Sequence, residues 1–275
     1  MTAITDPTTD APLTTAAVAR IPADPTAGRA PRSNTPVIEF RQVQKTYDNG
    51  FQAVAPFDLS VAAGEIVTIV GPSGCGKTTV IRMAAGLSSV SGGELVRTTE
   101  QLAYVFQDPT LLAWRSVRSN VELVAKLKGV DKATRSAAAT AAIEAVGLGA
   151  FERSLPRQLS GGMKMRVSLA RAITSAPELM MMDEPFAALD EFTRANMQME
   201  LLRLWRLNAF GAMFITHSIS EAVTLGHRIV VMAARPGRIA RVIDSPSPPT
   251  LDDAPRDLDA LAATAAVVSE LLSEA

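Results

Sequence analysis

The chain has 275 residues, of which 47% are apolar and 20% charged, and its formal net charge is −1. This apolar content is enough to bury the core of one large domain or two small ones. The balanced charge gives no sign of a nucleic-acid partner, because binding to a phosphate backbone needs an excess of Lys and Arg. A single cysteine, Cys75, excludes an internal disulfide and is typical of a reducing compartment.

We expect no membrane-spanning helix, because no apolar run approaches the ~18 residues that a span needs. The first residues lack the basic start and apolar stretch of a secretory signal peptide, which favours a cytoplasmic protein. Residues 1–35 are rich in Ala, Thr, Pro and Asp and poor in large apolar side chains. Such a segment cannot offset the entropy lost on ordering, so we predict a disordered extension.

Two strand-like segments precede the first chemical motif. Apolar and polar side chains alternate over residues 37–41, which predicts a half-buried strand, and residues 57–61 give a similar signal. A continuous apolar run, Ile66–Val70, then leads into a glycine-rich loop, and a helix-like pattern over residues 79–85 leaves it. The loop therefore lies between a predicted strand and a predicted helix.

The loop carries the complete phosphate-binding pattern G-x-x-x-x-G-K-[ST], formed by Gly71, Pro72, Ser73, Gly74, Cys75, Gly76, Lys77 and Thr78. Glycines let the backbone wrap closely around phosphate oxygens, and the amides at a helix start face the anion. We expect Lys77 to reach the β- and γ-phosphates and the Thr78 hydroxyl to ligate Mg²⁺. The setting disfavours the alternative, an ordinary glycine-rich turn, so we predict a nucleoside triphosphate site.

Strands and helices alternate in the rest of the chain. Three nearly continuous apolar runs are typical of buried parallel strands: residues 179–182, 212–215 and 229–232. Helical patterns such as residues 192–207 separate them, and this alternation predicts an α/β fold with a mostly parallel sheet. Residues 108–160 are helical in pattern throughout, which predicts an inserted helical subdomain.

The last part of the chain has a different composition. A proline-rich stretch at residues 245–249 predicts a linker, and an amphipathic pattern over residues 258–272 predicts a helix. We therefore expect the α/β domain to cover residues 36–245, with the linker and helix in residues 246–275.

Two carboxylates, Asp183 and Glu184, follow the apolar run at residues 179–182. In open α/β sheets the ligand lies at the carboxyl ends of the strands, which places these side chains beside the phosphate loop. One can hold Mg²⁺, usually through water, while the other orients and deprotonates an attacking water. A polar turn would explain the pair equally well if it stood alone. Together with the phosphate loop, the catalytic interpretation is preferred.

A second glycine motif, Ser160, Gly161 and Gly162, precedes a helical run. Backbone amides at a helix start, together with one hydroxyl, form an anion site. An ordinary N-cap explains the same residues. Their position shortly before the carboxylate strand makes the anion site the more specific interpretation.

The order of these motifs resembles the nucleotide-binding subunit of ATP-binding cassette (ABC) transporters, and the likeness spans about residues 37–236. It implies a P-loop NTPase core with a mostly parallel sheet, an antiparallel β subdomain and a helical subdomain at about 108–160. Residues 36–245 would then form the ABC ATP-binding domain. The implied activity is ATP hydrolysis coupled to transmembrane transport, with ATP and Mg²⁺ bound.

The resemblance assigns roles to positions around the phosphate loop. Tyr47 would stack on adenine, although Phe51 is close enough in the sequence to do so instead. Thr79 would bind ATP together with the loop. Gln107 would touch Mg²⁺ and link the site to a permease, where the alternative is an ordinary surface amide.

The resemblance also implies contacts across a dimer. Ser160, Gly161 and Gly162 would bind the γ-phosphate held by the opposite subunit. Asp190 would cross the dimer interface, a role compatible with its simpler explanation as a helix N-cap. His217 would contact the γ-phosphate and the attacking water, although a lone histidine after an apolar strand is usually structural.

The implied partners are a second copy of the chain, arranged head to tail, and separate transmembrane permease subunits. An extracytoplasmic solute-binding protein would belong to the same system. The chain would then be peripheral, at the cytoplasmic face of the inner or plasma membrane.

A finer likeness is to the importer branch for nitrate, sulfonate and taurine. It rests on residues 106–115, 159–163, 183–186 and 234–237, in which Met163 replaces the commoner Gln. Lys164, Met165 and Ala187 depart from the branch pattern, which weakens the solute assignment more than the activity.

Two alternatives remain within the superfamily. A non-transport ABC-type ATPase of DNA repair, chromosome organisation or the ribosome would carry coiled-coil arms or two copies of the motif set. An ATP-binding regulatory module without hydrolysis would not need both Glu184 and His217. A simple P-loop kinase would lack residues 159–162.

Overall fold

The computed structural model of the protein describes residues 36–274, and the predicted disordered extension at residues 1–35 lies outside them. The strands are β1 (Pro36–Thr46), β2 (Gln52–Ala62), β3 (Ile66–Val70), β4 (Gly92–Arg97), β5 (Leu102–Val105), β6 (Leu179–Asp183), β7 (Gly211–Thr216), β8 (Arg228–Ala233) and β9 (Arg238–Asp244). The helices are α1 (Lys77–Ala84), α2 (Val117–Val121), α3 (Leu123–Leu127), α4 (Lys132–Ala145), α5 (Gly161–Ile173), α6 (Glu191–Asn208), α7 (Ile219–Leu225) and α8 (Leu258–Ser273).

A six-stranded sheet in the order β5-β6-β7-β3-β8-β9 forms the centre of the fold. Its first five strands are parallel, and β9 runs antiparallel to β8 at one edge. Parallel neighbours need long crossover connections, and helices supply them here. The predicted α/β fold with a mostly parallel sheet is confirmed.

The inner strands are apolar along their whole length because both faces of the sheet are covered. In β6, Met180 and Met182 belong to one core, while Leu179 and Met181 belong to the other. Successive side chains of a strand point to opposite faces, so a strand between two cores needs apolar residues at every position. The methionines are therefore packing residues.

A second sheet of three antiparallel strands, β2-β1-β4, covers one face of the central sheet. Its side chains share a core with β3 and α1, and the rings of Phe40 and Phe57 lie 5.2 Å apart. This sheet is the antiparallel β subdomain that the resemblance implied.

Helices α5 and α6 pack on the opposite face, where Trp205 of α6 is fully buried. The stretch between β5 and α5 contains α2, α3 and α4, with short 3₁₀ turns at Gly149–Phe151 and Pro156–Gln158. Helices α2 and α4 both pack on α5. The helical stretch is therefore joined to the core mainly through the helix that begins at the second glycine motif.

The end of the described chain folds back onto the domain. Helix α8 packs on α7 and β8, with Val268 fully buried between them. In the segment before α8, Arg256 donates hydrogen bonds to the backbone oxygens of Ser247 and Thr224. Within residues 36–274, no helix combines the length and the apolar character that a membrane span requires.

Candidate nucleotide-binding and active site

The phosphate loop joins the central strand β3 to α1. Gly76, the N-cap of α1, has φ +93°, a left-handed conformation that favours glycine, and no side chain among the described residues caps the helix. A Cβ on Gly71 would lie 2.7 Å from both Cys75 Sγ and the Met232 backbone oxygen. Both glycines are thus required by the packing of the loop. The uncapped start of α1 suits an anion.

Lys77 is buried and its ammonium folds back along the loop. Its Nζ donates hydrogen bonds to the backbone oxygens of Gly71, at 2.8 Å, and Pro72, at 3.1 Å. The Lys77 ammonium is therefore held at the loop by uncharged carbonyl oxygens. The charged phosphate oxygens of a nucleotide would be stronger acceptors for it. Ser73 and Gly74, at the tip of the loop, are exposed.

Thr78 and Asp183 lie together although they are far apart in the sequence. The Thr78 Oγ1 donates to Asp183 Oδ1 at 3.2 Å, and Tyr104 Oη donates to Asp183 Oδ2 at 3.2 Å. Burial raises the pKa of the Asp183 carboxyl, while these two hydrogen bonds act in the opposite direction. A hydroxyl and a carboxylate in contact form a set of oxygen ligands that fits Mg²⁺.

Tyr104, on β5, is a site residue that the sequence patterns did not reveal. Burial, and next the charge of Asp183, raise the pKa of its phenol. The hydroxyl therefore stays protonated and serves as a donor to the carboxylate. Its position three residues before Gln107 is the only sequence signal that could have pointed to it.

Glu184 and His217 meet at the ends of the adjacent strands β6 and β7. His217 Nδ1 lies 3.2 Å from Glu184 Oε2. Glu184 has φ +47°, which is uncommon for a residue with a side chain, and its N–H donates to the Ile215 backbone oxygen at 3.0 Å. The parallel pairing of the strands thus brings the predicted base and the predicted histidine into contact.

Tyr47, and not Phe51, lies against the phosphate-loop helix. The Tyr47 Oη is 3.5 Å from Thr79 Oγ1, and the ring is 43% exposed. The Lys45 ammonium lies 5.3 Å from the centre of the same ring. Phe51 is 60% exposed at the other end of the turn.

Gln107 is exposed just after β5. Because β5 pairs in parallel with β6, with Val105 opposite Met182, Gln107 lies at the same edge of the sheet as Asp183 and Glu184. Its side chain makes no hydrogen bond within residues 36–274. The Gln107 side chain is therefore near the site, and no hydrogen bond within the described residues holds it in place.

The second glycine motif lies beside the Asp190 loop. The Ser160 Oγ caps α5 by accepting from the Met163 N–H at 3.3 Å, and Asp190 Oδ1 caps α6 by accepting from the Thr193 N–H at 2.9 Å. A Cβ on Gly162 would lie 2.6 Å from Thr193 Cγ2, which leaves room only for glycine. The two helix starts therefore adjoin each other.

In the described part of the chain, no hydrogen bond or ion pair joins the phosphate loop to any of the predicted dimer-contact residues, Ser160, Gly161, Gly162 and Asp190. One chain thus presents two separate groups of site residues: the phosphate loop with the carboxylates and His217, and the second glycine motif with Asp190.

The strand order and the loop after the central strand place the chain among P-loop nucleoside triphosphatases. A family model described as ABC transporter matches residues 54–187. An uncharacterised ABC transporter ATP-binding protein of Methanocaldococcus jannaschii is 44% identical over 76% of this chain and 79% of its own length. The chain belongs to the ATP-binding proteins of ABC transporters and is an ATPase.

Two further relatives carry the names of import systems. A taurine import ATP-binding protein of Roseobacter denitrificans is 40% identical over 68% of this chain and 73% of its own length. An aliphatic sulfonates import ATP-binding protein of Bacillus cereus strain ZK is 38% identical over 72% of this chain and 80% of its own length.

Solved structures of cassettes share the fold. A subunit of a Clostridium perfringens ABC transporter complex has a TM-score of 0.71 at 21% identity, covering 76% of this chain and 89% of that one. An ATP-binding cassette in a dimeric, post-hydrolysis state with ADP and Pi has a TM-score of 0.66 at 28% identity. It covers 75% of this chain and 98% of the other.

Proposed function

We propose that the chain is the ATP-hydrolysing subunit of an importer, peripheral at the cytoplasmic face of the inner or plasma membrane. It couples ATP binding and hydrolysis to uptake of a small anionic solute such as an aliphatic sulfonate, taurine or nitrate. Relatives named for taurine and sulfonate import, at 40% and 38% identity, support the first two solutes. Nitrate is supported by the sequence likeness alone.

In this proposal residues 36–245 form the ATP-binding domain, and its site residues hold Mg·ATP. Tyr47 contacts adenine, while Lys77, the loop amides and Thr79 hold the phosphates. Thr78 and Gln107 ligate Mg²⁺, with Asp183 acting through water. When bound, Mg²⁺ neutralises charge that develops on the phosphates during transfer.

The 3.2 Å contact between Glu184 and His217 carries the hydrolytic part of the proposal. Glu184 acts as the general base that orients a water and accepts its proton. His217 fixes the Glu184 carboxylate from one side and contacts the γ-phosphate from the other. Glu184 has a left-handed backbone and lies at the strand end directly after Asp183, which contacts Thr78 of the phosphate loop.

A head-to-tail pair of chains completes the site. Ser160, Gly161 and Gly162 of one copy bind the γ-phosphate on the loop of the other, where the start of α5 stabilises the charge of phosphoryl transfer. Asp190 crosses between the copies. The separation of these residues from the phosphate loop within one chain supports this arrangement.

The helical stretch after Gln107 contacts a separate transmembrane permease. Trp114 lies at the entry to this stretch and is 75% exposed, which is unusual for so large an apolar side chain. An extracytoplasmic solute-binding protein delivers the solute to the permease.

We expect Glu184→Gln to bind ATP but to turn it over at least about 100-fold more slowly, because the general base is lost. ATP should then hold the variant as a closed dimer, which size-exclusion chromatography with light scattering would detect. The matched control is Glu178→Gln, an exposed carboxylate at the opposite end of the same strand. Native turnover in Glu184→Gln would remove this residue from its role.

Transport itself is tested by uptake of labelled taurine, an alkanesulfonate and nitrate in a strain lacking this chain. The native chain should restore uptake of at least one of these anions, and Glu184→Gln should not. If the native chain is an active ATPase but restores uptake of none of these anions, the result would contradict the importer assignment and favour a non-transport ATPase.

A further inference from the structure

A buried carboxylate contacts the turn that carries His217. Glu221, in the first turn of α7, has a side chain that is only 4% exposed. Its Oε2 accepts a hydrogen bond from Thr216 Oγ1 at 2.5 Å, and that hydroxyl oxygen accepts from the Ser218 N–H at 2.9 Å. Glu221 therefore holds Thr216 directly and the Ser218 backbone through the Thr216 hydroxyl, so the conformation of the turn that carries His217 depends on this carboxylate.

The partner of Glu221 comes from another element. Arg194, in the first turn of α6, places its Nε 3.5 Å from Glu221 Oε1. Its Nη2 donates a hydrogen bond to the backbone oxygen of Leu189, at 2.9 Å, and Leu189 immediately precedes Asp190. One guanidinium thus contacts both the Asp190 loop and the carboxylate behind His217.

The contact between the Glu221 carboxylate and the Arg194 guanidinium would change with a small displacement of either group. Burial raises the pKa of Glu221, and the Thr216 hydrogen bond and the charge of Arg194 are the main opposing influences. The charges of His217 and Glu184 also act on it, in opposite directions. The Arg194 Nε is buried and, among residues 36–274, makes no hydrogen bond, so a shift of a few tenths of an ångström would convert the 3.5 Å ion pair into one.

We propose that Arg194 and Glu221 are positioning residues for hydrolysis, which transmit the placement of the Asp190 loop to the His217 turn and so to its contact with Glu184. This inference rests on the proposed function, in which Asp190 meets the partner subunit. Arrival of the partner at Asp190 then orients His217 through a path of direct contacts: Leu189, Arg194, Glu221, Thr216.

The test compares Arg194→Met, Arg194→Lys, Glu221→Gln and the double variant Arg194→Met/Glu221→Gln. We expect each single variant to lower kcat by about 10-fold or more while the KM for ATP changes less than about 3-fold, because misplaced groups slow chemistry without loosening binding. The double variant should lose no more than the worse single variant, because the pair acts as a unit. Arg203→Met, on the exposed face of α6, is the matched control: it also removes a hydrogen bond to a backbone oxygen, that of Ala145 at 2.7 Å, but lies outside the proposed path and should leave kcat near native.

Arg194→Lys separates positioning from folding. It keeps a charge beside Glu221 but lacks the fork that reaches both Glu221 and Leu189. We expect the Tm of Arg194→Lys to stay near the native value, while its kcat falls as in the other single variants. Native kcat in Arg194→Lys and Arg194→Met, with only Tm reduced, would overturn the proposal, and so would a loss confined to KM. A native chain without ATPase activity would instead contradict the proposed function.

Discussion

Cys75 is a buried thiol in the middle of a loop that must accept phosphate. It is fully buried, and its Sγ would lie 2.7 Å from a Cβ at Gly71. Burial raises its pKa, while the charge of Lys77 acts in the opposite direction. The thiol is therefore protonated at neutral pH and shielded from solvent, although its backbone belongs to the proposed nucleotide site.

We expect iodoacetamide to alkylate Cys75 much more slowly at pH 7 than it alkylates N-acetylcysteine, because the thiolate is the nucleophile. Because the pKa of the Cys75 thiol is raised, its alkylation rate should continue to increase with pH above the value at which the rate for N-acetylcysteine levels off. Once modified, the loop should no longer support ATPase activity, and ATP should slow the modification. Mass spectrometry of the Cys75 peptide across pH measures the rate, and reaction as fast as the free thiol would contradict the burial.

Local motifs predicted most residues placed in the candidate site, because such motifs fix their own backbone geometry. The phosphate loop needs only its glycines and Lys77 to be recognised. Tyr104, Arg194 and Glu221 have no such pattern, and their partners lie on other elements. Their contacts follow from tertiary packing, which spacing along the chain does not encode.

At the scale of elements, α5 and the Gln107 loop form one unit. Arg171, in the last turn of α5, donates to the backbone oxygens of Pro109 and Thr110, each at 2.9 Å. Thr110 adopts φ +47°, so the loop needs this support to keep its shape. The helix that begins at Ser160 is therefore tied to the loop that carries Gln107.

We expect Arg171→Met to lower the free energy of unfolding by about 1–3 kcal/mol, because the backbone oxygens of Pro109 and Thr110 lose a charged hydrogen-bond donor. Mg·ATPase activity should fall as well, since the Gln107 loop is no longer held. Urea unfolding and turnover measure the two effects. Arg166→Met on the same helix is the control, because Arg166 makes no hydrogen bond or ion pair in the described chain. Equal effects in both variants would show that Arg171 has no special role.

The elements that sequence reasoning found are those with a strong pattern. The predicted apolar runs became the inner strands β3, β6, β7 and β8, whose burial on both faces requires continuous apolar sequence. The strands β4, β5 and β9 were not predicted: β5 has only four residues, and β9 is mostly exposed at the edge. Short or half-exposed strands carry little periodicity, so their pairing partners decide their structure.

At the scale of the molecule, the proposed site is divided between two groups of residues in the chain. The phosphate loop lies with Asp183 and Glu184, while the second glycine motif lies with Asp190 at the adjoining starts of α5 and α6. In the proposed head-to-tail dimer, two copies related by a two-fold axis would bury these two groups against each other and form two equivalent sites. Activity would then depend on the association of the chains.

Mixing two inactive variants tests this arrangement. Lys77→Ala removes the ammonium of the phosphate loop, and Gly161→Asp adds a negative charge where the γ-phosphate would lie. A Cβ on Gly161 meets only Leu189 Cδ2 at 3.7 Å, so the substitution fits the fold. Each variant alone should be inactive. An equal mixture should recover about a quarter of native ATPase activity, because roughly half of the dimers are mixed and each has one intact site of two.

The mixture must be prepared by denaturing and refolding the two variants together, or by co-expression, so that subunits exchange. The ATPase activity of native chain mixed with either variant serves as the reference, because it shows whether the two sites of a dimer work independently. An inactive mixture, or activity in either variant alone, would contradict a site shared between chains.

The sheet order also constrains how the protein is made. Within residues 36–274, strand β3 pairs only with β7 and β8, both of which leave the ribosome long after it. A nascent chain that has not reached Thr216 therefore carries a complete phosphate-binding motif on an apolar strand that lacks both of its strand partners. We therefore expect β3 to reach its final hydrogen-bonded pairing only after both late strands have emerged.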